Sequence, residues 1–382
     1  MKTQRGFSLI DILVGMVIGL IGMIVVFQSF NAFEAQKRTT TVADDAQESG
    51  LMALAMIGRE IQLAGYGMFY AGTPVCNGMR QWTGAAIDAI ASFPPVVIGD
   101  GATNASDTLT LTYSTSGFGS VPSQLISKFD GSAAQIQVDN PTGGRMYETG
   151  DFVLVGGAGK TCTRLQVSAV AMDTANPLVA TLSVASGSAT PANPPSASLA
   201  SLLPTGGYVA TANTLATLNV VSNMGQMRRT RYSVTLDGTY GGRLQSLDVN
   251  TTGATAVDLG DGIVNLQAQY GISTAESVQQ VSSWVNATGS WVSPAFTDQG
   301  RIKALRIAVV ARSQLRERDE VQGVTMTCTN VSGTNANGPC AWRDTAASPA
   351  PLIDLSANTD WRRYRYRVYE TIVPLRNVMW QY

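Results

Sequence analysis

Active sites are built from titratable and nucleophilic side chains, and the commonest of these is missing here: the 382 residues include no histidine. Serine–histidine and cysteine–histidine catalysis are therefore excluded, and the usual general base, transition-metal ligand and physiological-pH switch are absent with it. Carboxylate, lysine or tyrosine chemistry remains, without a motif behind it. The acids of Arg316–Glu320 ("RERDE") form a mixed charge run and those of Asp258–Gly262 ("DLGDG") a turn, and no pattern brings two carboxylates into one cleft. The sequence thus gives no reason to expect an enzyme. Asp237, Asp248, Asp258 and Asp261 lie in or near Gly-rich turns, but calcium needs six or more convergent oxygens and no D-x-D-x-D-G run accompanies them. Turn formation is the plainer role for these aspartates, and no metal or cofactor is expected.

Two basic stretches raise the question of nucleic acid. In "WRRYRYRVYE", Arg362, Arg363, Arg365 and Arg367 alternate with Trp361, Tyr364, Tyr366 and Tyr369, a mixture of charge and stacking surface that single-strand binders use. On a strand, alternation sends Arg363, Arg365 and Arg367 to one face and Tyr364, Tyr366 and Val368 to the other, which is an ordinary strand with a solvated basic side. Arg228, Arg229 and Arg231 could extend that surface. With a net charge of -1, nucleic acid is not expected as a partner.

The cysteines are Cys76, Cys162, Cys328 and Cys340; none forms C-x-x-C, so zinc ribbons and thioredoxin-like sites are not indicated. An even count in an exported chain favours disulfides, and four cysteines allow three pairings. Cys328–Cys340, across a short Gly-, Asn- and Thr-rich loop, is the favoured pair, which leaves Cys76–Cys162; four buried free thiols are the alternative.

The elements that must position these residues begin with an apolar run. No charged residue occurs from Ile12 to Phe33, long enough to span a bilayer as a helix, and Lys2 and Arg5 before it keep the start cytoplasmic and send the rest outward. A cleaved secretory signal would end in a small-x-small site, which "SFNAFEAQKR" lacks; an uncut signal anchor stays open. No proline interrupts the chain up to Gly65, and Leu51, Leu54, Ile57 or Gly58, Ile61 and Ala64 recur at helical spacing. Asp44 and Asp45 could open a helical turn, and Gly65-Tyr66-Gly67 is a stop. A helix from Phe7 to about Ala64 would be on the order of 85 Å long, at about 1.5 Å per residue. Gly15 and Gly19 form G-x-x-x-G, and Gly22 follows; these positions allow close helix approach or are simply the glycines common in membrane helices. One acid, Asp11, stands just before the uncharged run, where a membrane makes it costly.

"RGFSLID" resembles the class III signal of type IV pilins and type II secretion pseudopilins. The resemblance implies a leader of residues 1–6, cleavage by prepilin peptidase between Gly6 and Phe7, N-methylation of Phe7, and an assembly contact for Asp11, where the family normally has Glu. "DDAQESGLMALAMIGREIQLAGYG" is similar to the helix of PilW-type minor pilins, and "GDFVLVGGAGKTCTRLQV", "LGDGIVNLQAQYGI", "RIKALRIAVVARS" and "RYRVYETIVPLRN" resemble that family in the same order. It implies a single-pass protein of the bacterial inner membrane, body in the periplasm, that becomes extracellular on the pilus. With other minor pilins it would prime assembly of the major pilin, sit at or near the tip, and meet a PilY-type tip adhesin. A J-like minor pseudopilin of type II secretion shares the leader and is the nearest alternative; a signal-anchored adhesin or binding domain is an alternative of another class.

The fold class expected is α+β: a pilin-like long N-terminal helix, transmembrane in residues 7–33 and amphipathic in 34–65, packed on an antiparallel β-sheet body with β-rich insertions over 66–382. Strands are expected at Thr108–Tyr113, Ala134–Val138, Phe152–Val155, Arg164–Val170, Arg231–Leu236, Arg306–Ser313 and Tyr364–Val373. The Ala/Ser/Pro-rich stretch at 186–207 is expected as a surface loop or a linker between two lobes.

Overall fold

The computed structural model describes residues 9–379 apart from 71, 102–104, 120, 141–145, 158, 189, 211–218, 238–240, 252, 323–327, 331–332, 336, 343–344 and 346–349. With no proline to break it, one helix runs unbroken over Leu9–Leu63, 55 residues, a length of about 82 Å at 1.5 Å per residue. Asp44 and Asp45 lie inside it rather than opening a new one. It stops where Gly65 and Gly67 take φ of +84° and +81°, a left-handed conformation that glycine adopts without a steric penalty. The Gly65 N–H then donates to the Thr112 carbonyl, 2.9 Å away, so the chain turns directly onto a strand.

The helix lies on a four-stranded antiparallel sheet in the order Ser283–Val285, Ile263–Ile272, Ile302–Arg312, Tyr366–Pro374. Strand Ile302–Arg312 is buried along its whole length, which explains its near-continuous apolar run. Leu305, Ile307, Val309 and Ala311 join the main core with Ile57 and Ile61 of the helix. Ala308 and Val310 face the other way, into a smaller core with Ala341, Ile353, Leu355 and Trp361. The segment 313–365 thus covers the sheet face opposite the helix.

A five-stranded sheet (Val257–Asp261, Arg243–Asp248, Arg228–Thr235, Thr108–Tyr113, Val96–Gly99) shares the main core. Its link to the first sheet is Asp107, which accepts from the N–H of Ala268 at 2.8 Å and of Gly101 at 2.9 Å while its own N–H donates to Leu266 O at 2.8 Å. Burial outweighs those two donors and lifts the Asp107 carboxyl to about 7. A second core lies between a six-stranded sheet containing Cys162–Gln166, Phe152–Gly157 and Asn219–Gly225 and a three-stranded sheet containing Val179–Ser183 and Gln135–Asp139.

Three expectations change. Leu51 is half exposed, and the buried stripe of the helix runs instead through Ala46, Gly50, Ala53, Ile57, Ile61 and Ala64. The small residues are required because the Tyr366–Pro374 strand crosses close by: a Cβ at Gly50 would collide with the Tyr369 ring. Arg164–Val170 is not one strand but the end of Cys162–Gln166 and the start of Ala169–Met172, which belong to different sheets. The 186–207 stretch holds a helix, Ser196–Leu202, whose Leu199 and Leu202 are buried in the second core.

Candidate assembly interface

The long helix changes character along its length. Ile12–Glu34 has mean hydropathy 2.4 and no part of it is buried, so the chain carries one helix long and apolar enough to cross a membrane. Nothing lies within 4 Å of a Cβ built on Gly15, Gly19 or Gly22, so their face is open. Gly6 and Phe7 lie outside the described residues; Asp11 is in the first turn of the helix.

The other end is held by the body. Asn377 Nδ2 donates towards the carbonyls of Gln62, Leu63 and Ala64 at 3.1, 3.1 and 3.2 Å. The last helical carbonyls have no partner within a helix, and here one side chain serves three of them. Arg367 Nη1 donates to Gln47 Oε1 at 3.2 Å, fixing the edge strand near the middle of the helix. Glu60 reaches the five-stranded sheet: burial, with the Glu60 carboxylate beside it, raises the phenol of Tyr232.

The cysteines form Cys76–Cys162 and Cys328–Cys340, with Cα atoms 5.2 and 4.9 Å apart. The first precedes a parallel pairing of Met79–Trp82 with Cys162–Gln166. The second ties the segment that covers the outer sheet face.

The two charge runs singled out in the sequence meet each other. Arg316 Nε and Nη2 donate to the two Asp360 carboxylate oxygens at 3.0 and 3.2 Å, and Arg316 holds the Asp360 carboxyl below the usual range. Arg365 pairs with Glu317 at 3.1 Å, Arg362 with Glu320 at 3.9 Å, and Arg363 with Asp360 at 3.7 Å. Trp361–Arg363 is a 3-10 turn and the strand starts only at Tyr366, so the expected two-faced strand is shorter than its Arg/Tyr alternation. Arg228, Arg229 and Arg231 belong to the five-stranded sheet and not to this surface. Asp237, Asp258 and Asp261 do converge, on the guanidinium of Arg243 at 3.1, 2.9 and 3.4 Å. The Gln245 amide and Arg243 hold Asp258 below the ordinary carboxylate range. Asp248 sits apart and accepts from Asn250 N and Thr251 Oγ1.

Sequence patterns did not reveal the Arg306 stack. Its guanidinium carbon lies 5.1 Å from the Trp284 ring and 4.2 Å from the Trp342 ring, and its Nε donates to Gln269 Oε1 at 2.8 Å. Burial lowers its pKa to about 10. Three of these residues come from three strands or loops, so no local spacing could announce them.

Residues 219–377 match the family model of type IV pilus-assembly protein W. The chain is of the PilW type. Neither a curated protein nor a solved structure matches it. The PilW match runs from the strand Asn219–Gly225 through the four-stranded sheet to Asn377, so it contains the helix's support, its cap and the Cys328–Cys340 bond. The protein is thereby involved in type IV pilus assembly, and its apolar helix is available as a membrane anchor.

Proposed function

We propose that this protein is a minor pilin. It is made as an inner-membrane prepilin with its body in the periplasm, cut by prepilin peptidase between Gly6 and Phe7, and methylated on Phe7. It then joins other minor pilins to prime polymerisation of the major pilin, and it ends at or near the extracellular tip beside a PilY-type adhesin. The observation that carries the reading is one unbroken helix whose first half is apolar and wholly uncovered while its second half is built into a PilW-type sheet. A helix apolar on all sides requires either lipid or other helices around it, and filament assembly supplies the second as the subunit leaves the first. Asp11 then serves as the partner of a cleaved, positively charged N-terminus, since a carboxylate within an apolar environment requires a counter-charge. No step in this role is catalytic.

N-terminal sequencing of the membrane-extracted protein tests it: a start at Phe7 is expected, and an intact Met1 or any other start refutes the processing. Deletion of the gene separates the pilus role from the type II secretion one. Loss of surface pili and twitching is expected; loss of exoprotein secretion with normal pili assigns the protein to the secretion system instead. Asp11→Glu should keep piliation and Asp11→Val should impair it.

A further inference from the structure

On the sheet face opposite the helix lies a cleft of about 420 Å³ between the Val264 end of one strand and the loop that includes 354–360. A volume of this order is typical of small-ligand sites and far too small for a folded partner. Its wall includes Arg312, which is only 2% exposed. One face of that guanidinium stacks on the Tyr364 ring, 4.0 Å from its centroid. The other lies against Gly241, where a Cβ would overlap it, so glycine is needed there to admit the group. Its Nε and Nη2 have no hydrogen-bond acceptor. These two atoms form one edge of the guanidinium, and their parallel N–H bonds match the two oxygens of a carboxylate. A buried cation held in place by stacking, with that edge unmatched, is arranged for an acceptor that the chain itself does not supply.

The rim sets the charge of that acceptor. Asp237, Asp354 and Asp360 line the cleft. Asp237 is already engaged by Arg243 at 3.1 Å and Asp360 by Arg316 at 3.0 Å, so two of the three are neutralised locally. A single negative charge on Arg312 is accommodated, whereas a doubly charged phosphate would face the remaining carboxylate field. Leu355 and the Tyr364 ring give the entering group an apolar lining. We propose that this cleft binds a monoanionic carboxylate attached to a short apolar body, with Arg312 as its anchor. The shared chemistry fits an acidic side chain on an extended peptide or a free monocarboxylic acid, and it does not depend on the pilus reading.

The test uses the full chain in detergent micelles, labelled with ¹⁵N-arginine. Probes are sodium butyrate, inorganic phosphate at matched ionic strength, and an acetylated, amidated Gly-Asp-Leu peptide beside its Gly-Asn-Leu counterpart. Butyrate is expected to shift one arginine Nε–H signal and raise the melting temperature, phosphate to do neither. Arg312→Lys keeps the charge but loses the fork, and Ala357→Trp plugs the mouth from an exposed position; each should weaken butyrate at least tenfold. The second variant decides the matter if the first does not fold. An Asp peptide binding tenfold tighter than butyrate, with no response to the Asn peptide, assigns the carboxylate to a protein segment; equal binding assigns it to a free acid. Absence of any carboxylate response, an unchanged response in Ala357→Trp, or phosphate binding as well as butyrate overturns the proposal.

Discussion

The two halves of the long helix are one secondary structure with two solvents. Ile12–Glu34 shows its apolar side chains on every side and has no protein contact covering it. Ala46 to Ala64 shows a single buried stripe, with Ile57 and Ile61 fully enclosed and Met52 and Leu51 left outside. An apolar stripe a third of a turn wide is what one sheet can cover; an apolar surface all round needs a medium or a set of neighbours. The difference teaches that helicity here is not what distinguishes anchor from body. What distinguishes them is whether the small residues that allow close approach, Gly19 in one half and Gly50 in the other, already have something against them.

Mutations can press on that contrast. The largest effect is expected from the enclosed half: Ile61→Ala should cost about 2–5 kcal/mol in unfolding of the body, while Ile18→Ala in the open half leaves that melting unchanged and shows only in membrane retention or assembly. Equal losses from both would mean that the first half is also packed on the body. Next comes the support beneath the enclosed half. Asp107 has a folded pKa of about 7, above its ordinary value of 3.8, so the folded state holds a proton that the unfolded chain releases. Stability from this group is therefore present in full below about pH 4 and lost as pH rises through about 7, by up to about 4 kcal/mol. Denaturant titrations across that range should show the fall, and Asp107→Asn should flatten it. Gly50→Ala should then cost about 1–3 kcal/mol, because the Tyr369 ring must move. Asn377→Ala, which strips the cap from three carbonyls, should cost about 1 kcal/mol and speed amide exchange in the last helical turn. The smallest effect belongs to Gly19→Ala: the body should melt within about 0.5 kcal/mol of the parent, and any loss of piliation would locate a helix–helix contact at that glycine.

Much of this architecture was legible in sequence because it rests on local patterns. The uncharged run, the proline-free stretch and the Gly65 stop define the helix, and Thr108–Tyr113 was read to the residue because period-2 alternation fits a half-covered strand. Both disulfides were legible, the first only by elimination, since nothing near Cys76 points to Cys162. Leu51 was misplaced because a list of apolar residues ignores that Ala and Gly can be the buried ones when a strand lies close. The 186–207 stretch was misread because its leucines are few and its surroundings polar, while the core that receives them is assembled from distant strands. The pairing of Arg316–Glu320 with the arginines of 362–365, the Arg243 cluster and the Arg312 cleft depend on which loops the topology brings together, and that information is not in any window of the chain.

The cap on the helix carries a consequence for timing. Asn377 lies 313 positions beyond Ala64, and the strand that covers Gly50 and Gly58 is Tyr366–Pro374. The first element to be made thus receives its cover from among the last to be exported. Until those residues have crossed, the enclosed half keeps its stripe open to whatever is nearby, and the subunit has no finished surface to offer a neighbour. Arrival of the final strand is then a completeness check: only a fully translocated chain can present a rigid helix.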